Sequence, residues 1–281
     1  MARNNQRRTK SAPKPETPEA PATTKSVLDF VTPTEFVELP SGGRFYATDH
    51  PFHNKETIEI RYMTAKDEDI LTNQTLLRKG VALERLLQSI LSNNNVDPSS
   101  LLVGDRNAII VAARSTGYGP NYTTTVTCPS CQTNVKHNFN LNDATIDDGQ
   151  DYDDAVVTPT DNGTFEVSLP LTKVTAEVRL LTGADEIEVG NSLKKKKNTI
   201  VDSMLTSQLG RVIVALNGET DPEVISQFVD LMPAYDSRYL REAHASVSPD
   251  IDLTQNFECS NCEHEQKMGV PFTVDFFWPN R

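Results

Sequence analysis

Aromatic residues are scarce in this chain of 281 residues. They make up 7%, with a single Trp, so its core must be built from aliphatic side chains. Basic residues are outnumbered, 27 Lys and Arg against 39 Asp and Glu, for a formal net charge of −12. That balance disfavours a general binder of nucleic acid or anionic membrane, because phosphate contacts need clustered cations. No run approaches the roughly 18 apolar residues that would span a bilayer. The basic start MARNNQRRTK has no apolar segment behind it. No secretory signal is read there, and synthesis in the cytoplasm is expected. Phosphate-loop, dinucleotide, nucleophile-elbow and zincin motifs are all missing, and no nucleophile stands beside a base, so no enzyme is expected. Only four cysteines are present, too few for a disulfide scaffold in a chain of this length.

What remains reads as α+β. Residues 1–34 are rich in Pro, Ala, Thr and charge without apolar periodicity, as in a disordered tail. The tail carries Arg3, Arg7, Arg8, Lys10, Lys14 and Lys25 against Glu16 and Glu19. A solvated arm is the simplest reading of it, and contact with an acidic partner or with the body is the alternative. Residues 35–120 read as an α+β region. A Gly42-Gly43 turn is followed by a strand at Ile58–Tyr62 and a helix from Ala65 to Thr72, with Thr64 and Asp67 as a capping pair. Two further helices are expected, Val81 to Ser92 on its leucine face, and Asp105 to Ser115 with Asp105 as the cap. Residues 143–249 read as an acidic loop, a β-hairpin (Thr164–Leu169 and Lys173–Leu180) and a helical insertion. The insertion includes a helix from Thr199 to Leu216, a short one after Asp221-Pro222 and another from Tyr235 to Ser246. Lys194 to Lys197 form a basic run, read as solvation. No internal repeat is read apart from two cysteine pairs.

Those pairs carry the chemistry. Cys128-x-x-Cys131 and Cys259-x-x-Cys262 each sit between two expected strands. A two-residue spacer lets both thiolates of one knuckle face the same ion, and a second knuckle completes a tetrahedral four-sulfur site. The expected cofactor is a structural Zn2+, with iron as the minor alternative. The 127 residues between the knuckles require two distant hairpins, 121–142 and 250–281, to meet as a split zinc ribbon. Four thiolates close the coordination shell, so the ion would stabilise rather than catalyse. His137 and His264 lie near the knuckles and are expected beside the site or exposed, while His50 and His53 are expected in a solvated loop. Phe276, Phe277 and Trp278 read equally as an anchor for a partner or as the lid of the ribbon core.

Several phrases in order carry a resemblance. They are Leu39-Pro40-Ser41-Gly42-Gly43-Arg44-Phe45-Tyr46, Met63-Thr64-Ala65-Lys66-Asp67-Glu68-Asp69-Ile70-Leu71, Gly104-Asp105-Arg106-Asn107-Ala108-Ile109, Cys128-Pro129-Ser130-Cys131, Asp236-Ser237-Arg238, the second CxxC, and Asp275-Phe276-Phe277-Trp278-Pro279. Together, over residues 36–281, the chain resembles the T4-like phage baseplate hub protein family of contractile-tailed viruses. The resemblance implies a structural or assembly role in the hub of the tail baseplate, with other hub proteins as partners and no catalytic residues. The acidic balance argues against nucleic acid and membrane as partners, and the sequence leaves the oligomeric state open. The resemblance places the protein in the virion tail and, during assembly, in the host cytoplasm. The rival reading is a zinc-ribbon regulator of transcription that binds nucleic acid. That reading needs a basic face, and Lys136, Lys267 and Arg281 stand among many acids around the knuckles. Asp67, Glu68, Asp69, Asp105, Arg106, Asp236 and Arg238 stand at helix starts, where capping and ion pairing within the fold are favoured over a direct interface.

Overall fold

The computed structural model describes residues 32–93, 95–195, 204–271 and 274–277. The chain divides into two units, Met1–Thr32 and Pro33–Arg281. The expected tail and the Lys196–Lys197 end of the basic run lie outside the described residues, as does Trp278.

Within Pro33–Arg281 the elements follow one order twice. In the first pass, β1 (Thr34–Glu38) pairs antiparallel with β2 (Thr57–Arg61). Helices α1 (Ala65–Thr72), α2 (Gln74–Lys79) and α3 (Ala82–Ile90) follow. Ile60 of β2 then bridges Leu91, just after α3. A short 3-10 turn (Pro98–Ser100) leads into the long α4 (Val103–Tyr118) and the hairpin of β3 (Asn121–Thr127) and β4 (Asn134–Asn140), which carries the first knuckle. A link through β5 (Thr145–Asp147) and β6 (Val157–Pro159) opens the second pass. There β7 (Phe165–Ser168) pairs with β8 (Thr175–Val178), and α5 (Gly183–Lys195) and α6 (Met204–Val212) follow. Val178 of β8 pairs with Ile213, just after α6, in β9 (Ile213–Leu216). Helices α7 (Pro222–Leu231) and α8 (Ala234–Val247) come next, then β10 (Asp250–Asp252) and the hairpin of β11 (Thr254–Glu258) and β12 (Glu265–Gly269) with the second knuckle.

The match extends to single atoms. Arg61-x-x-Thr64-x-x-Asp67 and Arg179-x-x-Thr182-x-x-Asp185 make the same strand-to-helix corner. In each, the Thr N–H and hydroxyl donate to one Asp oxygen at 2.8–2.9 Å, and the arginine clasps both carboxylate oxygens. Burial works against the Asp67 charge, but the bonds from Arg61, Thr64 and Ser89 outweigh it and hold the carboxyl well below its usual range. At Asp185, burial is likewise overcome by Arg179 and Thr182. A Leu-Pro pair ends β1 and another ends β7. The next residue's N–H, of Ser41 or of Leu171, donates to the buried carboxylate of Asp105 on α4 or Asp236 on α8, at 3.0 and 2.9 Å. From that aspartate to the first knuckle cysteine is 23 positions in both halves, 105 to 128 and 236 to 259.

This repeat corrects the expectation that only the cysteine pairs recur. It escapes the sequence because the framing residues are few and the turns between them differ in length. The first β-turn segment runs from Pro40 to Glu56, while the second is the short Pro170 to Val174.

Other differences follow from local chemistry. Thr34, expected in the tail, begins β1. Helix α2 was not expected; it starts where the Asn73 side chain accepts from the N–H groups of Thr75 and Leu76, and it stops at Gly80, which adopts φ 73°. Asp105 does not cap its helix. It lies inside the first turn of α4, its side chain turned into the core toward Ser41 and Tyr46. The helix expected to reach Leu216 ends at Val212, because Ile213–Leu216 pairs with the open edge of β8 instead. In the acidic loop, Thr145–Asp147 forms β5 and pairs with β10. The His50/His53 loop is packed rather than solvated. His50 stacks on Tyr46 with ring centroids 4.4 Å apart and lies 3.0 Å from the Ser100 hydroxyl, while Tyr46 and Phe52 are buried.

The core follows the repeat. Leu86, Leu87 and Ile90 of α3 bury one face against Leu71, and Leu209 and Val212 hold the matching places on α6. Between the halves, Leu102 bridges Thr182, the Val103 N–H donates to the Leu181 carbonyl, and the Gly183 N–H donates to the Leu101 carbonyl. Arg106 spans the same seam, bonding Glu84 of α3 and Glu186 of α5. Gly104 lets α4 approach the second half. A Cβ there would lie 2.0 Å from the Pro249 carbonyl oxygen. Phe276 and Phe277 are buried, and the Phe276 ring packs edge-on to Tyr122 of β3. The guanidinium of Arg114 holds the Phe276, Gly119 and Asn121 carbonyls.

Candidate metal centre

Each knuckle is the tight end of a β-hairpin. In the first, the Cys128 N–H donates to the Thr133 carbonyl and the Gln132 N–H donates back to the Cys128 carbonyl. In the second, Cys259 and His264, and Glu263 and Cys259, make the same two bonds. Both turns need a residue with positive φ four positions after the first cysteine, and Gln132 and Glu263 supply it at φ 57° each. This conformation brings the two sulfurs of a knuckle to the same side.

The two hairpins meet through their apolar faces. Tyr122, Val126, Val135 and Phe139 line the first, and Leu253, Phe257 and Val270 the second. The His137 ring packs edge-on to Phe257 at 5.2 Å, and the Gln255 amide bonds both the N–H and the carbonyl of Asn140. The docked hairpins bring together the sulfurs of Cys128, Cys131, Cys259 and Cys262, all within 4.8 Å of one another. Across the knuckles, Cys128 lies 3.7 Å from Cys262 and Cys131 lies 3.7 Å from Cys259. The edge of a sulfur tetrahedron around an ion with bonds of about 2.3 Å is about 3.8 Å, so the spacing fits such an ion. All four cysteines are free.

The acid–base state of the thiols fits as well. Hydrogen bonds from the Thr133 hydroxyl and backbone, and then from the Asn261 amide, draw the Cys131 thiol down to about 5. A backbone bond at His264 pulls Cys262 the same way. There the neighbouring Cys131, Cys259 and Cys128 thiols win, pushing it up to about 12. Four crowded thiols without a cation cannot all ionise, whereas a bound dication would hold all four as thiolates. His137 and His264 sit beside the knuckles, and their rings pack on Phe139 and lie near the Gln266 amide. Two other residues singled out in the sequence make contacts within the fold. Glu68 accepts from the Tyr118 hydroxyl and Arg238 pairs with Glu242 one turn along α8.

A cleft of about 500 Å3 lies between the halves, lined by Leu102, Leu181, Asp185, Glu186, Val189 and His244 among others. Three of its ionisable groups are already engaged. Asp185 is clasped by Arg179, Glu186 by Arg106, and His244 is 3.0 Å from the Arg179 carbonyl. No helix among the described residues is long and apolar enough to cross a membrane.

Over residues 32–278 the chain matches the family described as T4 bacteriophage base plate protein. No curated protein and no solved structure matches it.

Proposed function

We propose, from the premise that the chain belongs to the T4 bacteriophage base plate protein family, that this structural protein of the phage baseplate serves in the hub or in its assembly, as a non-enzymatic scaffold. The observation that carries this reading is a family match across the whole described fold, joined to four thiols set at tetrahedral spacing. In the proposed scaffold, Cys128, Cys131, Cys259 and Cys262 hold one structural Zn2+. A closed four-sulfur shell leaves no position for a substrate. Its partners are other proteins of the tail, met through its surfaces, during assembly in the host cytoplasm and in the tail.

Quantitative mass spectrometry of purified tails and of baseplate assembly intermediates tests this role. A small fixed copy number in either supports it, and absence from both overturns it.

A further inference from the structure

The repeat shows what should cover a surface that stands open. In the first half, Leu101 and Leu102 lead into α4 with extended backbone, φ −71°, ψ 143° and φ −60°, ψ 146°. The corner Leu181-Thr182-Gly183, where α5 begins, lies along them in a single antiparallel bridge and takes up the Leu101 carbonyl and the Val103 N–H. The matching residues of the second half, Met232 and Pro233, lead into α8 with nearly the same backbone, φ −60°, ψ 128° and φ −56°, ψ 141°. They present the Met232 carbonyl and the Ala234 N–H in the same way, and none of the bonds between elements among the described residues uses either group.

Around this unused edge the apolar side chains are exposed. Leu231, at the end of α7, is 82% accessible, Tyr235 in the first turn of α8 60%, and Leu171 59%. Leu171 is held at the first turn of α8, where its N–H donates to Asp236. Val224, two turns before Leu231 on α7, continues the stripe. In the first half the corresponding Ser41 is buried, and the corresponding Ser100 is met by His50 from the longer β1–β2 turn. The second half has no such turn. The charge on the α7 side of the open edge is acidic, while Lys173 and Arg238 stand on the α8 side, near Asp236 and Tyr235. Residues 221–237 contain Asp221, Glu223, Asp230 and Asp236 and no Lys or Arg, and the first three are exposed.

We propose that this edge docks an extended segment of another tail protein, laid along Met232-Pro233-Ala234 as Leu181-Thr182-Gly183 lies along Leu101-Leu102-Val103. The segment exchanges backbone bonds with Met232 and Ala234. It sets aliphatic or aromatic side chains on Leu231 and Tyr235 and brings Lys or Arg toward Asp230 and Glu223. Backbone pairing supplies affinity in such contacts, and the flanking side chains supply selectivity. The inference rests on the baseplate reading, since it takes the partner from the tail.

The test places the photo-crosslinker p-benzoylphenylalanine at Tyr235 of the full chain, supplied during phage infection and irradiated in assembling tails. Thr123, exposed on the ribbon, carries it in the control. The expected product joins Tyr235 to one other tail protein, at a peptide holding apolar residues and Lys or Arg. Adding Leu231→Glu lowers the yield about tenfold, as loss of a central contact does, while the melting temperature stays unchanged. Products only with a second copy of the chain, only with nucleic acid, or no more abundant than at Thr123 overturn the docking edge. If the chain is present in tails but the product is missing, the edge falls and the baseplate reading stands. If the chain is absent from tails and intermediates alike, both fall.

Discussion

Removing the Asp105 carboxylate probes how strongly the first half depends on a single buried acceptor. Asp105 is fully buried, and three donors converge on it: the Ser41 N–H at 3.0 Å, the Ser41 hydroxyl at 2.6 Å and the Tyr46 hydroxyl at 2.7 Å. Through Tyr46, which also accepts from the Leu102 N–H, it fixes the path of the β1–β2 turn over the start of α4. Hydrogen bonds to a charged acceptor contribute about 1.5–3 kcal/mol each, and Asp105→Ala leaves three buried donors unpaired, so we expect a loss of about 5 kcal/mol. For a protein of this size that is a fall in melting temperature of about 10–20 °C. Burial raises the Asp105 pKa even though Ser41 and Tyr46 oppose it. The folded state therefore gives up some stability as pH rises from the unfolded carboxyl value, about 3.9, through the folded one. Asp105→Asn keeps an acceptor without that charge and should lose at most about half as much as Asp105→Ala. Asp236→Ala, which strands only the Leu171 and Thr172 N–H groups, should cost about 3 kcal/mol. Thermal and urea unfolding of the three variants checks the order. An Asp105→Ala loss below about 1 kcal/mol, or one smaller than that of Asp236→Ala, would refute the assigned bonding.

Gly104→Ala forces a Cβ into the Pro249 backbone and should destabilise by about 1–3 kcal/mol, whereas Gly190→Ala in α5 meets nothing within 4 Å and should stabilise by up to about 1 kcal/mol. Both are read by urea denaturation. Burial lowers the His244 pKa, with the Arg179 carbonyl opposing it only in part. The unfolded chain takes up this proton first, so the contribution is fully present above about pH 6.5 and is lost as pH falls through the folded value. Stability measured from pH 7.5 to 5 should decline less in His244→Gln than in the parent. Arg61→Ala leaves the buried Asp67 carboxylate with an uncompensated charge and should cost about 3–5 kcal/mol, against a smaller loss for Arg238→Ala, whose pair is exposed on both sides.

The cysteine knuckles were legible because two thiols at a two-residue spacing between strands admit few other uses. The corner at Thr64 and Asp67 was legible for a similar reason, since a capping pair acts over three residues. The long-range partners of the same side chains were not. Nothing local shows that Asp105 turns inward to Ser41, 64 positions away, or that Arg114 closes on Phe276. The strand at Ile213–Leu216 was hidden because its residues continue the apolar spacing of α6, and only the free edge of β8 decides the matter. The repeat had a signal in the Arg-x-x-Thr-x-x-Asp phrases and the two equal Asp-to-Cys separations. It is faint because the few framing residues, from Leu39 to Cys131 and from Leu169 to Cys262, are spread over more than ninety positions in each half. That signal matters for function, since it makes the four-cysteine cluster the joint between two like halves rather than a local staple.

The measurement that tests this most directly is the metal and thiol content of the purified full-length chain at neutral pH. The account predicts one zinc per chain, with all four thiols protected from a thiol reagent until a chelator removes the ion. A folded, metal-free chain whose four thiols react at once would contradict it.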